Sequence, residues 1–302
     1  MSSFEQVNSP SYVTETRPLV KGQTHRDNSS VEGSFTLEFW GVRGQIPTPG
    51  KNTVRYGGNT ACLEICVEGK RLIFDGGTGL RLLGNHLLKS TPVEAYLFFT
   101  NCCWDRIQGF PFFIPAFLPI NSFHIYGVDA AYGHSFEKCL INQMTQPNFP
   151  VPIEAMRSKL NFSTIKAGTT EIIGDLRIES TVLPGKIPSL NYKVNWHDHS
   201  VVYATNHNYY QKPLDNSLIK LAQGADLLII NAPQTNSQPR QDLTASWHIS
   251  RDIAQKSGVK QMIISIHNPD YDDRYLEEIE TKLRQLCPQV IFAREGMVFH
   301  VV

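Results

Sequence analysis

The chain has 302 residues, of which 41% are hydrophobic and 19% are charged. A chain of this length and apolar content can bury a sizeable core, which excludes a wholly disordered protein and a small disulfide-stapled one. Its 28 basic residues balance 28 acidic ones, so it lacks the strong global field that would attract nucleic acid. The composition favours one large α/β domain or two small ones, and it argues against nucleic acid as a partner.

The N-terminal sequence, the apolar stretches and the cysteines together predict a cytoplasmic protein. The six cysteines form no CxxC pair and are too sparse for a disulfide framework, so we expect reduced thiols. The chain does not open with a secretory signal, and no stretch has the roughly 18 to 20 apolar residues of a membrane span. Residues 1–34 are poor in apolar side chains and rich in serine, which predicts a flexible tail before a folded domain at 35–302.

The first half of the folded part is predicted to consist mainly of strands. Residues 35–41 alternate apolar and polar side chains, and 60–67 and 70–74 flank a tight Glu68-Gly69 turn. The elements predicted after them, in chain order, are a helix at 80–88, strands at 93–100 and 122–127, and a helix at 135–144.

In the second half, strands alternate with helices. The run Trp196-His197-Asp198-His199 separates two apolar strands, so we expect an exposed polar turn there, although the His-x-His spacing is also that of a metal motif. Predicted helices cover 216–223, 250–257 and 273–287, and predicted strands cover 161–165, 171–173, 176–182, 192–195, 200–205, 225–231, 261–266, 289–292 and 297–302. Two sheets covered by helices, an αββα sandwich of the α/β (α+β) class, satisfy this layering.

Several motifs of the folded part carry a family resemblance. They begin with FWGVRGQIPTPG (39–50), RYGGNTAC (55–62) and LIFDGGTGLRLLG (72–84), and continue at 109–119, 125–127, 149–156, 201–206, 267–273 and 292–297. In this order they resemble the metallo-β-lactamase-fold hydrolases, in particular the ribonuclease Z-like and phosphodiesterase-like branch. The resemblance covers roughly residues 35–302 and implies a metallo-β-lactamase-type sandwich.

The resemblance also implies a two-metal site, which this chain has lost in large part. The family's Thr-His-x-His-x-Asp-His run reads Thr100-Asn101-Cys102-Cys103-Trp104-Asp105-Arg106 here. Asp105 is retained, and His267 corresponds to a metal-binding histidine near the end of the family's sequences. The alignment at this point is ambiguous by one residue, because relatives often have two adjacent histidines where this chain has Ile266-His267. The positions where ligands are replaced are Asn101, Cys103, Arg106, Gly185 (within a residue or two) and Asn206.

These replacements predict a cavity that rejects metal. Neutral amides are poor ligands for zinc or manganese, and Arg106 is always charged. At about 4 Å and an effective dielectric constant of about 20, a guanidinium and a dication repel each other by roughly 8 kcal/mol. We expect Arg106 to replace the metal charge and pair with Asp105; the alternative is a side chain that points to solvent. A mononuclear site of Cys103, Asp105 and His267, joined by His207 or His199, is the competing possibility.

Two further positions follow from the resemblance. In relatives the Asp at position 75 supports the site through hydrogen bonds, and the His at position 248 assists proton transfer. His207 belongs either to the cavity or to a surface loop. The aromatic run at 109–119 forms either the core and cleft wall or a partner-binding patch of Phe110, Phe112, Phe113 and Phe117.

The sequence therefore favours a catalytically inactive member of this fold, without metal or cofactor, that binds an unidentified protein partner as a scaffold or regulator. A homodimer is a further expectation. The competing functions are a metal-dependent phosphodiester hydrolase with an altered ligand set and, less strongly, an RNA-binding protein that does not cleave.

Overall fold

The computed structural model describes residues 33–130, 134–166, 168–183, 187–207, 216–233 and 243–302, with side chains omitted at 243–248. In these ranges, one mixed sheet has the strand order β14-β1-β2-β3-β4-β5-β6. The strands are β1 (Phe35–Gly41), β2 (Cys62–Val67), β3 (Lys70–Phe74), β4 (Glu94–Phe98), β5 (Ser122–Gly127), β6 (Lys159–Thr164) and β14 (Val298–His300).

The second sheet has the order β13-β12-β11-β10-β9-β8-β7. Its inner strand β11 is buried throughout and pairs in parallel with both neighbours, as its unbroken apolar run predicts. The strands are β7 (Thr170–Ile173), β8 (Leu176–Leu183), β9 (Ser189–Trp196), β10 (His199–Ala204), β11 (Leu227–Asn231), β12 (Gln261–Ser265) and β13 (Val290–Phe292).

Helices in the described ranges cover the outer faces of the sheets, and none of them combines the length and apolarity that a membrane crossing requires. Local chemistry sets two of their starts, because Ser135 and Asp272 accept backbone hydrogen bonds as N-caps. The helices are α1 (Gly79–Leu87), α2 (Trp104–Ile107), α3 (Phe136–Gln143), α4 (Asn216–Ala222), α5 (Leu243–Ser257) and α6 (Asp273–Leu286).

Three apolar clusters hold the layers together. The largest lies between the two sheets and joins side chains such as Phe74 to others such as Ile229. A second packs α4, α5 and α6 on the second sheet, and a third packs α1 and α3 on the first. The molecule is thus a helix–sheet–sheet–helix sandwich, and the predicted fold class is confirmed.

Most predicted elements occur within three residues of their predicted ends. The helix predicted at 250–257 begins earlier, at Leu243, and the short helix α2 was not anticipated. The His197-Asp198 turn between β9 and β10 is exposed, as expected. The predicted tail lies outside the described residues except for 33 and 34, and so does Gly185.

The aromatic run at 109–119 is mostly core. Phe110 and Phe113 are completely buried in the cluster beneath α1, so for these two residues the core alternative applies and the surface-patch alternative does not. Two 3₁₀ turns, Phe110–Phe112 and Ile114–Phe117, direct some side chains of the run into the core and others to the surface. Phe112 is 49% exposed and Phe117 is partly buried.

His267 also lies in the core. Its ring packs 5.6 Å from the rings of Tyr56 and Phe292, and its Nε2 lies 2.9 Å from the carbonyl oxygen of Ala293. A carbonyl oxygen only accepts, so Nε2 carries the proton. Burial lowers the pKa of His267 to about 3, and the imidazole is therefore neutral in the folded protein.

This burial predicts a pH dependence of stability that His267→Gln removes. The unfolded chain binds a proton at His267 near pH 6.5, whereas the folded protein does so only near pH 3, so stability falls as the pH drops through this window. We expect His267 to account for about 2 kcal/mol of unfolding free energy lost between pH 7 and pH 5. Urea denaturation of both proteins at both pH values measures this difference, and equal losses in the two would contradict the assignment.

Candidate functional site

A cavity of about 370 Å³ opens at the carboxyl ends of β4, β10, β11 and β12. Ligand sites of open α/β sheets occur at such strand ends. The lining residues come from the loops after these strands, from the loop after β1 and from the start of β9. They are Gly44, Gln45, Asn101, Cys103, Asp105, Arg106, Ile187, Ser189, Thr205, Asn206, His207, Asn231 and Ile266.

Arg106 occupies the floor of this cavity. The short helix α2 turns it inwards, so that it is only 4% exposed. Its Nη1 donates to the Asp75 carboxylate at 2.6 Å and to the Thr205 hydroxyl at 2.8 Å, and its Nη2 donates to the Thr205 carbonyl at 3.0 Å. The predicted pairing with Asp105 is present at 3.4 Å through Nε, but the shorter pairing is with Asp75. A solvent-facing Arg106 is excluded.

Asp75 is the buried counter-ion of Arg106. Besides the guanidinium, it accepts hydrogen bonds from the Thr100 amide and hydroxyl and from the Tyr203 hydroxyl. Burial raises the pKa of Asp75, and Arg106 together with Thr100 opposes that shift. Burial by itself lowers the pKa of Arg106, but the carboxylates of Asp75 and Asp105 outweigh it and the net shift is upwards. The 2.6 Å separation between Arg106 Nη1 and Asp75 Oδ2 is that of a charge-assisted hydrogen bond.

Backbone packing fixes this pair in place. The Gly76 amide donates to the carbonyl of Arg106 at 2.6 Å, and the Gly109 amide donates to the carbonyl of Gly76 at 2.8 Å. A Cβ atom on Gly109 would overlap the Gly77 carbonyl. These glycines let the loop after β3 lie directly against α2, and that contact brings Asp75 within reach of Arg106.

Two asparagines face each other on the cavity wall. Asn101 Nδ2 donates to Asn206 Oδ1 at 2.9 Å and to the Ser189 hydroxyl at 3.3 Å, while Asn101 Oδ1 accepts from the Cys103 amide at 2.8 Å. The side chains at two positions where the resemblance implies metal ligands are thus hydrogen-bonded to each other. Asn231 is similarly engaged, because it bonds to both the amide and the carbonyl of His207.

The residues present do not fit a divalent cation. Nowhere in the described part of the chain do three His, Cys, Asp or Glu side chains come together as a possible metal site. Burial and the neighbouring Asp105 raise the pKa of Cys103, which disfavours the thiolate that binds metal. Ile266, and not His267, lines the cavity, so the mononuclear site of Cys103, Asp105 and His267 does not form.

The other predicted site residues are distributed as follows. His207 is buried at the cavity wall, whereas His199 lies 3.5 Å from Asp226 at the far end of β10. The side chain of His248 lies outside the described residues. The sequence alone did not identify Gln45, Ser189 or Thr205 as cavity residues; Thr205 follows a buried strand, which is the one signal that pointed to it.

Comparison with known proteins establishes the fold. At the level of sequence, no family model and no curated protein matches the chain. Solved structures do match. The metallo-β-lactamase fold protein YhfI from Bacillus subtilis is 18% identical with a TM-score of 0.63, and the match covers 88% of this chain and 98% of that one.

Two further structures agree with this assignment. A diphosphatase of the PhnP family is 15% identical with a TM-score of 0.62 over 88% of this chain and 97% of its own. Human tRNase Z, short form (ELAC1), is 16% identical with a TM-score of 0.59 over 88% and 99%. Together with the two facing sheets and their helices, these matches show that the chain has the metallo-β-lactamase fold.

Proposed function

We propose that this chain is a catalytically inactive metallo-β-lactamase-fold protein that acts as a protein-binding, scaffolding or regulatory factor. The observation that supports this is the buried Arg106, which bonds to Asp75, Asp105 and Thr205 in the cavity where the resemblance implies metal ions. A guanidinium supplies positive charge, but it holds no ionisable water and offers no vacant coordination position.

Arg106 also performs the structural task of a bound cation. It connects Asp75, which follows β3 in the first sheet, to Thr205, which follows β10 in the second. A charge pair buried in this way is stable only while both members are present. The two halves of the sandwich are therefore joined across the cavity by the chain itself.

The cavity offers little nucleophilic chemistry. The thiol of Cys103 is held protonated, since burial and Asp105 raise its pKa. His267, which the competing metal site grouped with Cys103, lies in the core, where its Nε2 is committed to Ala293. Folds host many functions, and activity depends on the groups at the site. Proteins of this fold include a diphosphatase, but this chain lacks the groups for metal-assisted hydrolysis at the described positions.

Metal analysis tests this proposal directly. Protein purified without chelator is expected to contain less than about 0.1 equivalents of zinc, manganese or iron, because Arg106 repels a dication at the cavity floor. The same protein is expected to leave bis(p-nitrophenyl) phosphate intact after chelator treatment and reloading with Zn²⁺ or Mn²⁺. About two equivalents of metal together with hydrolysis of this ester would establish the hydrolase instead.

Replacing Arg106 tests its structural role. Arg106→Met leaves the carboxylate of Asp75 buried without its cation, so we expect a loss of about 3–5 kcal/mol in the unfolding free energy, measured by urea denaturation. Arg177→Met is the matched control, because among the described residues the Arg177 side chain makes one exposed ion pair, with Glu179, and its loss costs at most about 1 kcal/mol. Similar losses in the two variants would show that Arg106 is not a structural cation.

The double variant Asp75→Asn/Arg106→Met separates the pair from general packing. Because Asp75→Asn neutralises the carboxylate, we expect the unfolding free energy of the double variant to be at least about 1 kcal/mol higher than that of Arg106→Met. Additive losses would contradict the pairing.

A further inference from the structure

Two cysteines from different elements lie against each other beside the cavity. Cys102 follows β4 in the loop that continues into α2, and Cys139 lies in the middle of α3. The Cys102 thiol donates a hydrogen bond to the sulfur of Cys139, so the two side chains are in direct contact. Both are free thiols that are partly exposed to solvent, whereas Cys62, Cys66 and Cys287 are buried. This pair therefore combines proximity with access for a reagent.

Packing of α3 on the first sheet holds the two sulfurs together. Phe136 precedes Cys139 by one helical turn, and its ring lies 5.2 Å from the ring of Phe99. Phe99 in turn lies just before Cys102 in the chain, at the end of β4. Phe136 and Leu140 are buried in the same apolar cluster against which Cys102 packs. Because residues three apart on a helix share a face, the core that anchors α3 also directs Cys139 towards the loop after β4.

Contact of this kind is what disulfide formation requires. The two sulfurs of a disulfide are about 2.05 Å apart, and thiols that already touch approach this separation by small side-chain adjustments. Burial and the sulfur of Cys139 raise the pKa of the Cys102 thiol, so the reduced form gains no stability from ionisation at this residue. A dithiol whose thiolate is stabilised is strongly oxidising, and the opposite case favours the disulfide.

We propose that Cys102 and Cys139 form a reversible disulfide when the chain meets a disulfide oxidant such as oxidised glutathione, and that this bond fixes the loop at 101–103 on the cavity wall. The Cys139 thiolate attacks one sulfur of oxidised glutathione, which releases a glutathione thiolate and leaves a mixed disulfide. Cys102 then attacks the Cys139 sulfur and releases the second glutathione. The two protein thiols lose two electrons and two protons, which two molecules of reduced glutathione take up.

The disulfide acts on the cavity because Cys102 lies between two of its lining residues. On one side, Asn101 donates hydrogen bonds to Asn206 and Ser189. On the other side, the amide of Cys103 donates to the Asn101 side chain. In the reduced protein, hydrogen bonds and apolar packing hold this loop. A covalent link to α3 adds a constraint that these contacts lack, so oxidation makes the cavity wall more rigid.

Peptide mapping after equilibration with glutathione tests the proposal. The full chain is reduced, transferred to buffer that contains oxidised glutathione, and blocked with N-ethylmaleimide before digestion with trypsin. Cleavage after lysine and arginine leaves Cys102 in peptide 90–106 and Cys139 in peptide 139–157. We expect mass spectrometry to find these two peptides joined, and to find them separate after treatment with dithiothreitol.

Variants of the chain identify the sulfur, because peptide 90–106 also contains Cys103. Cys103→Ser keeps the proposed pair, and we expect it to join the two peptides as the wild type does. Cys102→Ser keeps Cys103 and Cys139, and we expect the joined fraction to be at least tenfold lower. An unchanged melting temperature shows that each variant is folded, and Cys102→Ala serves where the serine variant melts earlier.

Hydrogen–deuterium exchange measures the consequence for the cavity wall. We expect the backbone amides of residues 101–104 to exchange at least threefold more slowly in the oxidised wild type than in the reduced wild type. Cys139→Ser is the matched control, because it leaves the loop sequence intact but cannot form the bond. The same oxidant is expected to leave its exchange rates unchanged.

Four outcomes would overturn the disulfide: no joined peptide in the folded wild type, a joined peptide that forms only in urea, equal joining in Cys102→Ser and Cys103→Ser, or a bond between Cys102 and Cys103 instead. Equal exchange rates in the oxidised and reduced wild type would refute the effect on the cavity wall. Metal content and hydrolysis decide the proposed function separately, since neither measurement depends on this pair of thiols.

Discussion

The ion pair between Arg106 and Asp75 is the interaction on which the cavity depends. A charge that is 4% exposed is tolerated only with a counter-ion and hydrogen bonds, and Arg106 pairs with Asp75 and donates twice to Thr205. Asp75 is itself fixed by Thr100 at the end of the next strand and by Tyr203 from the opposite sheet. The pair thus fastens the two sheets at the edge where their loops meet, and it determines where Asp105 and the asparagines lie.

The asparagines are explained by the charge of this pair. With a single positive charge in the cavity, a carboxylate at position 206 would add a second unbalanced negative charge. The amide of Asn206 adds none, and its oxygen accepts from Asn101 at 2.9 Å. Because an amide both donates and accepts, Asn101 bonds to three neighbours, whereas an imidazole that binds metal through one nitrogen has a single N–H donor left. A guanidinium and amides thus stand together at positions where the resemblance implies metal ligands.

Sequence patterns were sufficient for the sandwich, because alternating and unbroken apolar runs reveal strands whatever their order in the sheet. Sequence patterns were insufficient where a shift of one residue decides which side chain faces the cavity. Ile266 and His267 are neighbours in sequence. Only the backbone conformation, with φ of 53° at Ile266, shows that Ile266 lines the cavity. The sequence also could not predict which carboxylate lies nearest to Arg106. Asp105 is adjacent in sequence, but Asp75, 31 residues earlier, comes closer through a loop-to-helix contact that no local pattern encodes. In the same way, Phe110 and Phe112 look equivalent in sequence, and the 3₁₀ turn separates them into core and surface.

A cavity without metal has different physical requirements from a hydrolytic site. Hydrolysis needs water at a reactive centre, whereas recognition needs fixed walls that do not reorganise when a partner arrives. The bonds of Asn101 to Asn206 and Ser189, and of Asn231 to the backbone of His207, hold the walls before any partner is bound. Preorganised walls reduce the entropy lost on binding. Arg106 adds to this rigidity, because its guanidinium pairs with both Asp75 and Asp105. Fixed walls of this kind support the proposed binding role more than a hydrolytic one, which needs a metal with a vacant coordination position.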